Sequence, residues 1–266
     1  MEKITIKDIA REAGVSVATV SYVINGINKE RYTTETKRKV LQVVNLYNYR
    51  PSKLGQSLAN NKSDNIILLT DKHTSVLQKS ENFDFIRMFA KALERLGYNL
   101  LIRSHLDAIR IDIADAIFCA GMEEDRFRRL AGENFVPMLT IDAKIDDELF
   151  FQVYQDFEDV MRRGTDRFGA GNFTVVLVDM YNETLKRDIR AVCGDSVVFL
   201  SENSLEPVPH GNIVTVNESV SKLHELNDRN VLHVPALTET RIETLFDCYK
   251  KAAEHAAVDR HRFAVR

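Results

Sequence analysis

Near the N-terminus two short amphipathic segments flank Ala13-Gly14-Val15, and no other feature constrains the fold of this chain as tightly. Thr5 precedes IKDIAREA with Asp8 three residues on, a hydroxyl and a carboxylate placed to satisfy the free N–H groups of a helix start. Ile6, Ile9 and Ala10 then share one face. Gly14 is free to take φ > 0 in a tight turn. Ser16 is a good N-cap for a second helix, Val17–Asn25, whose inner face is Val20, Val23 and Ile24. Small Ala10 lets the helices approach, Gly14 turns the chain, and Val20 locks the second helix onto the first. This is the helix-turn-helix pattern. A generic helical hairpin with a fortuitous glycine is the plainer alternative.

The outward side chains of the second helix are Val17, Ala18, Ser21, Tyr22 and Asn25. A recognition helix brings its N-terminal side chains to base edges in the major groove. Val17 and Ala18 suit a thymine methyl, and Tyr22 can stack or donate a hydrogen bond. Ser16, Thr19, Ser21 and Asn25 are short polar groups suited to phosphate oxygens, which position a protein without reading sequence. Thr5 and Tyr49 complete the candidate contacts within the helical head, and no catalytic residue is among them.

The charge distribution agrees. Over residues 1–62 there are 11 Lys+Arg against 5 Asp+Glu, a net of +6, whereas the remainder holds 25 against 34, a net of −9. A basic head on an acidic body predicts that the head meets a polyanion such as double-stranded DNA and the body does not. A well-solvated basic surface would carry the same charge.

A third helix is expected over Thr34–Leu46, capped by Thr33, with Val40, Val43, Val44 and Tyr47 inward and Asn48 in the left-handed conformation after it. In NYRPSKLGQSLANNKS, Pro51 suits the first turn of a short helix with Leu54 and Leu58 on one face. Gly55 weakens that helix by about 1 kcal/mol. The polar stretch Asn60–Asp64 reads as a linker.

The run TIKDIAREAGVSVATVSYVIN followed by NYRPSKLGQSLA resembles the DNA-binding head of the lactose/galactose repressor family of bacterial transcription regulators, over residues 4–62. The resemblance implies a homodimer on a palindromic operator, with Pro51–Asn60 as a hinge helix that pairs at the dyad. It also implies that Leu58 is the wedge each hinge puts into the minor groove, an insertion that kinks DNA. The alternative is that Leu54 and Leu58 pack on the body.

From residue 64 apolar runs alternate with amphipathic segments. Strands are expected at Asn65–Thr70, Asn99–Arg103, Ala116–Ala120, Val136–Ile141, Leu149–Tyr154, Phe173–Val178, Val197–Leu200, Ile213–Val216 and Asn230–Val234. Helices are expected near Phe83–Leu96, Glu123–Ala131, Asp156–Phe168, Glu183–Val192, Ser219–Leu226 and Glu239–Ala256. Repeated βα units predict an α/β body, residues 63–266, of two doubly wound parallel-sheet subdomains. One spans about 64–157 plus 236–258 and the other 158–235. The resemblance implies a reduced version of the periplasmic-binding-protein-like fold.

The body departs from the family. It is shorter than usual, and Ser104–Asp115 is too short for a full crossover helix. Where the family carries an Asn-Pro-Phe-Phe-like stretch this chain reads QKSENFDF; the Arg-x-x-Gly-Phe-like segment survives only as Lys186–Arg190, and no Gly-Phe-Asp-Asp-like segment is found. Phe83, Phe85, Asp142 and Arg187 are the candidates for gripping a sugar or phosphosugar effector, set against the plainer reading of a core aromatic and solvated charges.

Other chemistry is thin. No phosphate loop or nucleophile elbow occurs, so the chain reads as a non-enzyme without cofactor or metal. His255 and His261 are six apart and point to different sides of a helix, His233 reads as a satisfied buried imidazole, and Cys119 in AIFCAG reads as a buried thiol. Cys119, Cys193 and Cys248 show neither disulfide nor zinc spacing. No run of about 18 apolar residues and no apolar signal core appears, which predicts a cytoplasmic protein without membrane contact. The reading is a DNA-binding transcriptional repressor with control by a sugar-like effector. Its alternatives are a regulator whose body is only a dimerisation scaffold, and a sugar-binding module or enzyme with an incidental head.

Overall fold

Local capping decides where the first helices lie. The structure is a computed structural model that describes residues 4–47, 49, 62–70, 75–104, 110–201, 211–223 and 230–266. The chain divides into a head, residues 1–63, and a body, residues 64–266. In the head α1 is Ile6–Ala13, α2 Val17–Asn25 and α3 Thr34–Leu46, with a 3-10 turn at Lys29–Arg31. Gly14 closes α1 at φ 63°. The next N–H, of Val15, reaches back to the Ala10 carbonyl at 3.0 Å.

Ile9, Ala10, Ala13, Val20, Val23 and Val40 form the buried centre of the head, with Ile6, Ile24, Val43 and Val44 packed around it. Tyr47, expected inward, is exposed, because α3 ends at Leu46 and the chain turns at Tyr47. Asn48 and the hinge segment 51–60, with Leu54, Gly55 and Leu58, lie outside the described residues.

The body is built on two parallel sheets. The strands of the first are β1 (Asn65–Thr70), β2 (Asn99–Ser104), β3 (Ala116–Ala120), β4 (Met138–Ile141), β5 (Phe151–Gln155) and β10 (Arg262–Val265), in the order β10-β5-β4-β3-β1-β2. Those of the second are β6 (Phe173–Val178), β7 (Val197–Leu200), β8 (Asn212–Thr215) and β9 (Val231–His233), in the order β7-β6-β8-β9. Both read as doubly wound, since the chain leaves β1 and β6 toward one edge and later returns to build toward the other. β10 was not foreseen. It adds residues 262–265 to the first subdomain by pairing with β5, Arg262 opposite Gln152.

The remaining helices are α4 (Val76–Arg95), α5 (Glu124–Glu133), α6 (Phe157–Phe168), α7 (Glu183–Cys193), the single turn α8 (Glu218–Ser221) and α9 (Glu239–Ala253). A strand covered on both faces must be apolar throughout, and NIILLT shows why. Ile66 and Leu68 pack with Phe89 and Leu93 of α4 and with Leu245, Phe246 and Tyr249 of α9. Ile67 and Leu69 point the other way, onto Phe127 and Leu130 of α5. In the second sheet Val175 and Leu177 face Val160 of α6 and Ile189 of α7, while Val176 and Val178 face Val220 and are joined there by Leu77 of α4.

Two expected elements are corrected. The first body helix starts at Val76, seven residues before the expected Phe83, because Ser75 caps it. The Ser75 hydroxyl accepts from the Gln78 N–H at 3.0 Å and the Gln78 side chain accepts from the Ser75 N–H at 3.3 Å. The helix expected over Ser219–Leu226 is described only as the single turn Glu218–Ser221, with residues 224–229 outside the described set. Between β2 and β3 the described residues 110–115 hold no helix. Ile111 and Ala114 instead pack directly on the sheet, and the Asn134 side chain accepts from the Ile111 N–H at 2.8 Å.

The packing of α6 on β6 can be tested at Gly164, where an added Cβ would lie 2.5 Å from the buried Phe173 ring. Gly164→Ala improves helix propensity by about 1 kcal/mol, but overpacking costs about 1–3 kcal/mol. We expect net destabilisation, read as a lower urea midpoint with unchanged slope. A midpoint that stays or rises contradicts this contact.

Candidate functional site

The second helix offers the first candidate surface. It carries no charged residue in its first or last turn. Ser16 caps it, accepting from the Thr19 N–H at 3.0 Å, and the Ser16 and Thr19 hydroxyls are 2.9 Å apart. Asn25 donates to the Ser21 hydroxyl at 3.2 Å. Val17 and Ala18 are exposed, and Ser21 and Tyr22 are half-buried. The apolar pair is therefore presented at the helix N-terminus on a frame of short polar groups that already hold one another.

Charge comes from the neighbouring elements. Lys7 and Arg11 on α1, Lys29 and Arg31 on the 3-10 turn, and Lys37, Arg38 and Lys39 on α3 are all exposed. Thr5 lies at the start of α1, where both its N–H, at 3.0 Å, and its hydroxyl, at 2.7 Å, donate to the Asp8 carboxylate. The Thr5 hydroxyl, then its N–H, holds Asp8 below the usual carboxylate range, and Arg11 adds to the effect. The capping box expected at this helix start is present, with the Thr5 side chain on the Asp8 N–H and the Asp8 side chain on the Thr5 N–H. Tyr49 is packed against the head core, and burial pushes its phenol up. Leu58 lies outside the described residues.

The second candidate is a cleft of about 490 Å³ in the body, lined from both sheets. It lies beyond the carboxyl ends of the strands, where doubly wound sheets place their ligands. Gln155 ends β5 and His233 ends β9; Asp142 follows β4, Asp179 follows β6, and Asn217 follows β8 by two residues.

The chain crosses between subdomains at 155–157 and again at 234–238, and Arg241 ties the crossings together. Its guanidinium is 1% exposed. It donates to the Asp142 carboxylate, to the Ala236 carbonyl at 2.6 Å and to the Val153 carbonyl at 3.4 Å. Asp142 also accepts from the Gln155 N–H at 3.2 Å and holds φ 48°, a left-handed conformation that Asp and Asn tolerate best.

Further contacts bridge the two sides. The Gln78 amide donates to the Asp179 carbonyl at 3.0 Å, and Glu81 accepts from Ser219 N–H at 2.5 Å and Asn217 at 3.2 Å. Asn182 caps α7, accepting from Leu185 N–H at 2.8 Å, while donating to the Met122 carbonyl at 2.8 Å. Lys186 lies 2.6 Å from Asp179; burial opposes its charge, but hydrogen bonds to Asp179 and Glu183 outweigh it and raise the ammonium above its ordinary value. A hydrogen bond from Lys222, 2.6 Å away, is the largest influence holding Glu218 low.

Of the four residues proposed from sequence to grip an effector, Phe85 and Asp142 line the cleft. Phe83 and Arg187 are not among its lining residues: Phe83 is 67% exposed and Arg187 is exposed on α7. Phe83 is two residues from Phe85 and therefore on a different side of α4. His233 is not the fully satisfied imidazole expected: its Nδ1 is 3.3 Å from Glu218, but its Nε2 is buried without a partner among the described residues. Gln78, Glu81, Gln155, Asp179 and Asn217 were missed. Their signal was position, at or just past a strand end or in the first turns of the helix after β1.

Elsewhere the groups are inert. Burial pushes the Cys119 and Cys248 thiols up to about 12 and that of Cys193 to about 11. Among the described residues no group of three or more His, Cys, Asp or Glu could hold a metal, and no helix is long and apolar enough to cross a membrane.

Comparison with known proteins places these features. The family model described as bacterial regulatory proteins, lacI family, matches residues 5–52. Catabolite control protein A of Staphylococcus xylosus is 27% identical over 219 residues, 73% of this chain and 61% of that protein. The fructose operon regulatory protein of Vibrio cholerae serotype O1 is 33% identical over 164 residues, 55% of this chain and 48% of that protein. The chain thus spans about three-fifths of the first relative's length, 61%, and about half of the second's, 48%. A lac repressor dimer bound to operator and the anti-inducer ONPF aligns with a TM-score of 0.59 at 16% identity, covering 99% of this chain and 96% of that one. A complex of the transcriptional regulator CelR with cellobiose aligns at 0.51 with 14% identity, covering 98% and 97%. At such identities the likeness is one of fold, a helical head followed by an α/β body of parallel sheets.

The Arg241–Asp142 contact yields a test. Asp142→Asn keeps shape and left-handed tolerance but removes the charge facing buried Arg241. Leaving that charge under-compensated should lower stability by about 2 kcal/mol, measured by denaturant unfolding. Wild-type stability would show that Asp142 does not hold the crossing.

Proposed function

We propose that this chain, whose head belongs to the lacI family of bacterial regulatory proteins, is a sequence-specific DNA-binding transcriptional regulator. It is a repressor that binds a palindromic operator as a homodimer in the cytoplasm. The observation that carries this reading is an uncharged α2, with Val17 and Ala18 exposed at its N-terminus, on a head of net charge +6. That combination separates the two tasks of DNA recognition. Neutral side chains meet base edges, and surrounding lysines and arginines meet phosphates.

Val17 and Ala18 contact thymine methyls and Tyr22 reaches base edges. Thr5, Ser16, Thr19, Ser21 and Asn25 meet the backbone, and Tyr49 braces the exit from the head. Leu58, on the hinge segment, is the minor-groove wedge. The body carries the dimer and holds an effector of sugar-like polarity in its cleft. Against a body that is merely a scaffold stands the cleft of about 490 Å³ itself, lined from both sheets.

Binding should weaken steeply with salt. A dimer meeting roughly 6–10 phosphates loses about 10³–10⁵ in affinity between about 50 and 200 mM salt. Fluorescence anisotropy with a fragment recovered from genomic selection measures the slope, and a slope near zero would sink the electrostatic role of the head.

Tyr22→Ala should relax base preference at one or two positions of each half-site, at about 1–3 kcal/mol each. Asn25→Ala should weaken all sequences about equally. Binding selections that return the same consensus for wild type and Tyr22→Ala would remove Tyr22 from the base-reading set.

A further inference from the structure

The first residues of the body are held more firmly than a strand start requires. Asp64 takes φ 54°, a left-handed conformation uncommon outside glycine. Its N–H donates to the Asp115 carboxylate at 2.9 Å. Its carbonyl accepts from the Asn99 N–H at 2.7 Å and from the Asn99 side chain at 3.3 Å. One residue on, the Asn65 side chain donates to the Ile113 carbonyl at 2.9 Å and accepts from the Asn99 side chain at 3.2 Å. The Asn65 carbonyl accepts from the Asp115 N–H at 2.8 Å.

These partners are themselves fixed. Asn99 opens β2, and Asp115 directly precedes β3. Ile111 and Ala114 are buried on the sheet. Asn134 holds the Ile111 N–H at 2.8 Å while its own amide donates to the Leu130 carbonyl of α5 at 2.8 Å. Burial first, then the hydrogen bond with Tyr98, and then the charges of Asp115 and Asp64 push the Tyr249 phenol up. Both carboxylates thus lie near that buried ring. A residue in a sparsely populated backbone conformation persists where its surroundings over-determine it, and such positions cluster where function needs a fixed geometry.

We infer that Asp115 is a positioning residue for DNA binding: by holding the Asp64 N–H it fixes the root of the link to the head, so that the two heads of a dimer engage one operator together. This rests on the reading of the chain as a dimeric regulator and adds a part of the body to its DNA-binding apparatus. Ladder bonds alone would set the register of β1. The side-chain bonds and the left-handed turn do something further, since they fix the direction in which the chain leads back from residue 64. Once one head is bound, capture of the second depends on its effective concentration at the other half-site, and slack in the link lowers that concentration.

Fluorescence anisotropy on the full chain tests this, with the selected operator fragment and with a half-site cut from it. Asp115→Ala should weaken binding to the full site by about tenfold or more and leave the half-site within about twofold. Asp115→Asn keeps an oxygen for the Asp64 N–H and should recover most of the full-site affinity. An Asp115→Ala variant that binds the full site like wild type overturns the proposal. Equal losses on the full site and the half-site also overturn it, as does an Asp115→Asn variant as weak as Asp115→Ala.

If Asp115→Ala fails to fold, Asp64→Pro carries the test. Proline has no N–H to donate and cannot take φ 54°, while the bonds made by residue 65 and beyond stay in place. The same selective loss at the full site is expected, and its absence overturns the proposal. The wild-type chain separates the two readings. If it binds no selected fragment, the regulator reading fails and takes this inference with it. If it binds and the variants match it on both fragments, this inference alone fails.

Discussion

The body depends on one buried cation. Arg241 is fully desolvated at the start of α9, where the chain returns from the second sheet to the first. A guanidinium in that position needs partners, and Asp142, Ala236 and Val153 engage its two terminal nitrogens from three different segments, while Nε has none among the described residues. Because two of those segments belong to the first sheet and one to the returning crossing, the interaction fixes where α9 can begin. From there follow the packing of Leu245, Phe246 and Tyr249 on β1 and β3, and the placing of β10 beside β5.

The helix α4 is the second constraint, and it works by belonging to both halves. Its C-terminal part buries Phe89, Ala92 and Leu93 in the first sheet's core. Its N-terminal part sends Leu77 into the second sheet's cluster and Gln78 and Glu81 to hydrogen bonds there. A rigid rod seated in two cores transmits any change in their separation. Asn182 does the same on the second sheet's side, by capping its own helix while gripping the Met122 carbonyl of the first subdomain. Closure of the cleft is therefore shared among backbone-anchored hydrogen bonds rather than left to exposed ion pairs, which are individually weak.

Legibility in the sequence follows the range of the forces involved. In the head the deciding interactions are local: Ser16 on Thr19, Thr33 on Thr36, and Gly14 closing α1. The bounds Val17–Asn25 and Thr34–Leu46 were accordingly readable to the residue. The central strands were readable because burial on both faces leaves only apolar residues, as in NIILLT and FTVVLV. The start of α4 was legible in principle, through Ser75 and Gln78. It was hidden by a polar surrounding whose long-range partners, those of Leu77, Gln78 and Glu81, lie about a hundred residues or more away. β10 escaped for a related reason. Its four residues do alternate, Arg262 and Ala264 outward and Phe263 and Val265 inward, but the run is too short to stand out as a strand.

The cleft was the least legible part, and the reason is geometric. Apolar periodicity reports which residues face a core, whereas a ligand site gathers the residues that end the strands, where periodicity stops. Gln155 and His233 are each the last residue of a short strand, and the signal that would identify them is topological: an order such as β2-β1-β3 places the ends of β1, β3, β4 and β5 around one opening. Neighbours in sequence cannot substitute for that knowledge. On α4 the step from Phe85 to Phe83 turns about half the way round the helix, and on α7 the step from Lys186 to Arg187 turns about a quarter, so in each pair one side chain meets the cleft or its backing while the other meets solvent. Where a site is built from strand ends, the order of strands must therefore be established before any side chain can be assigned to it.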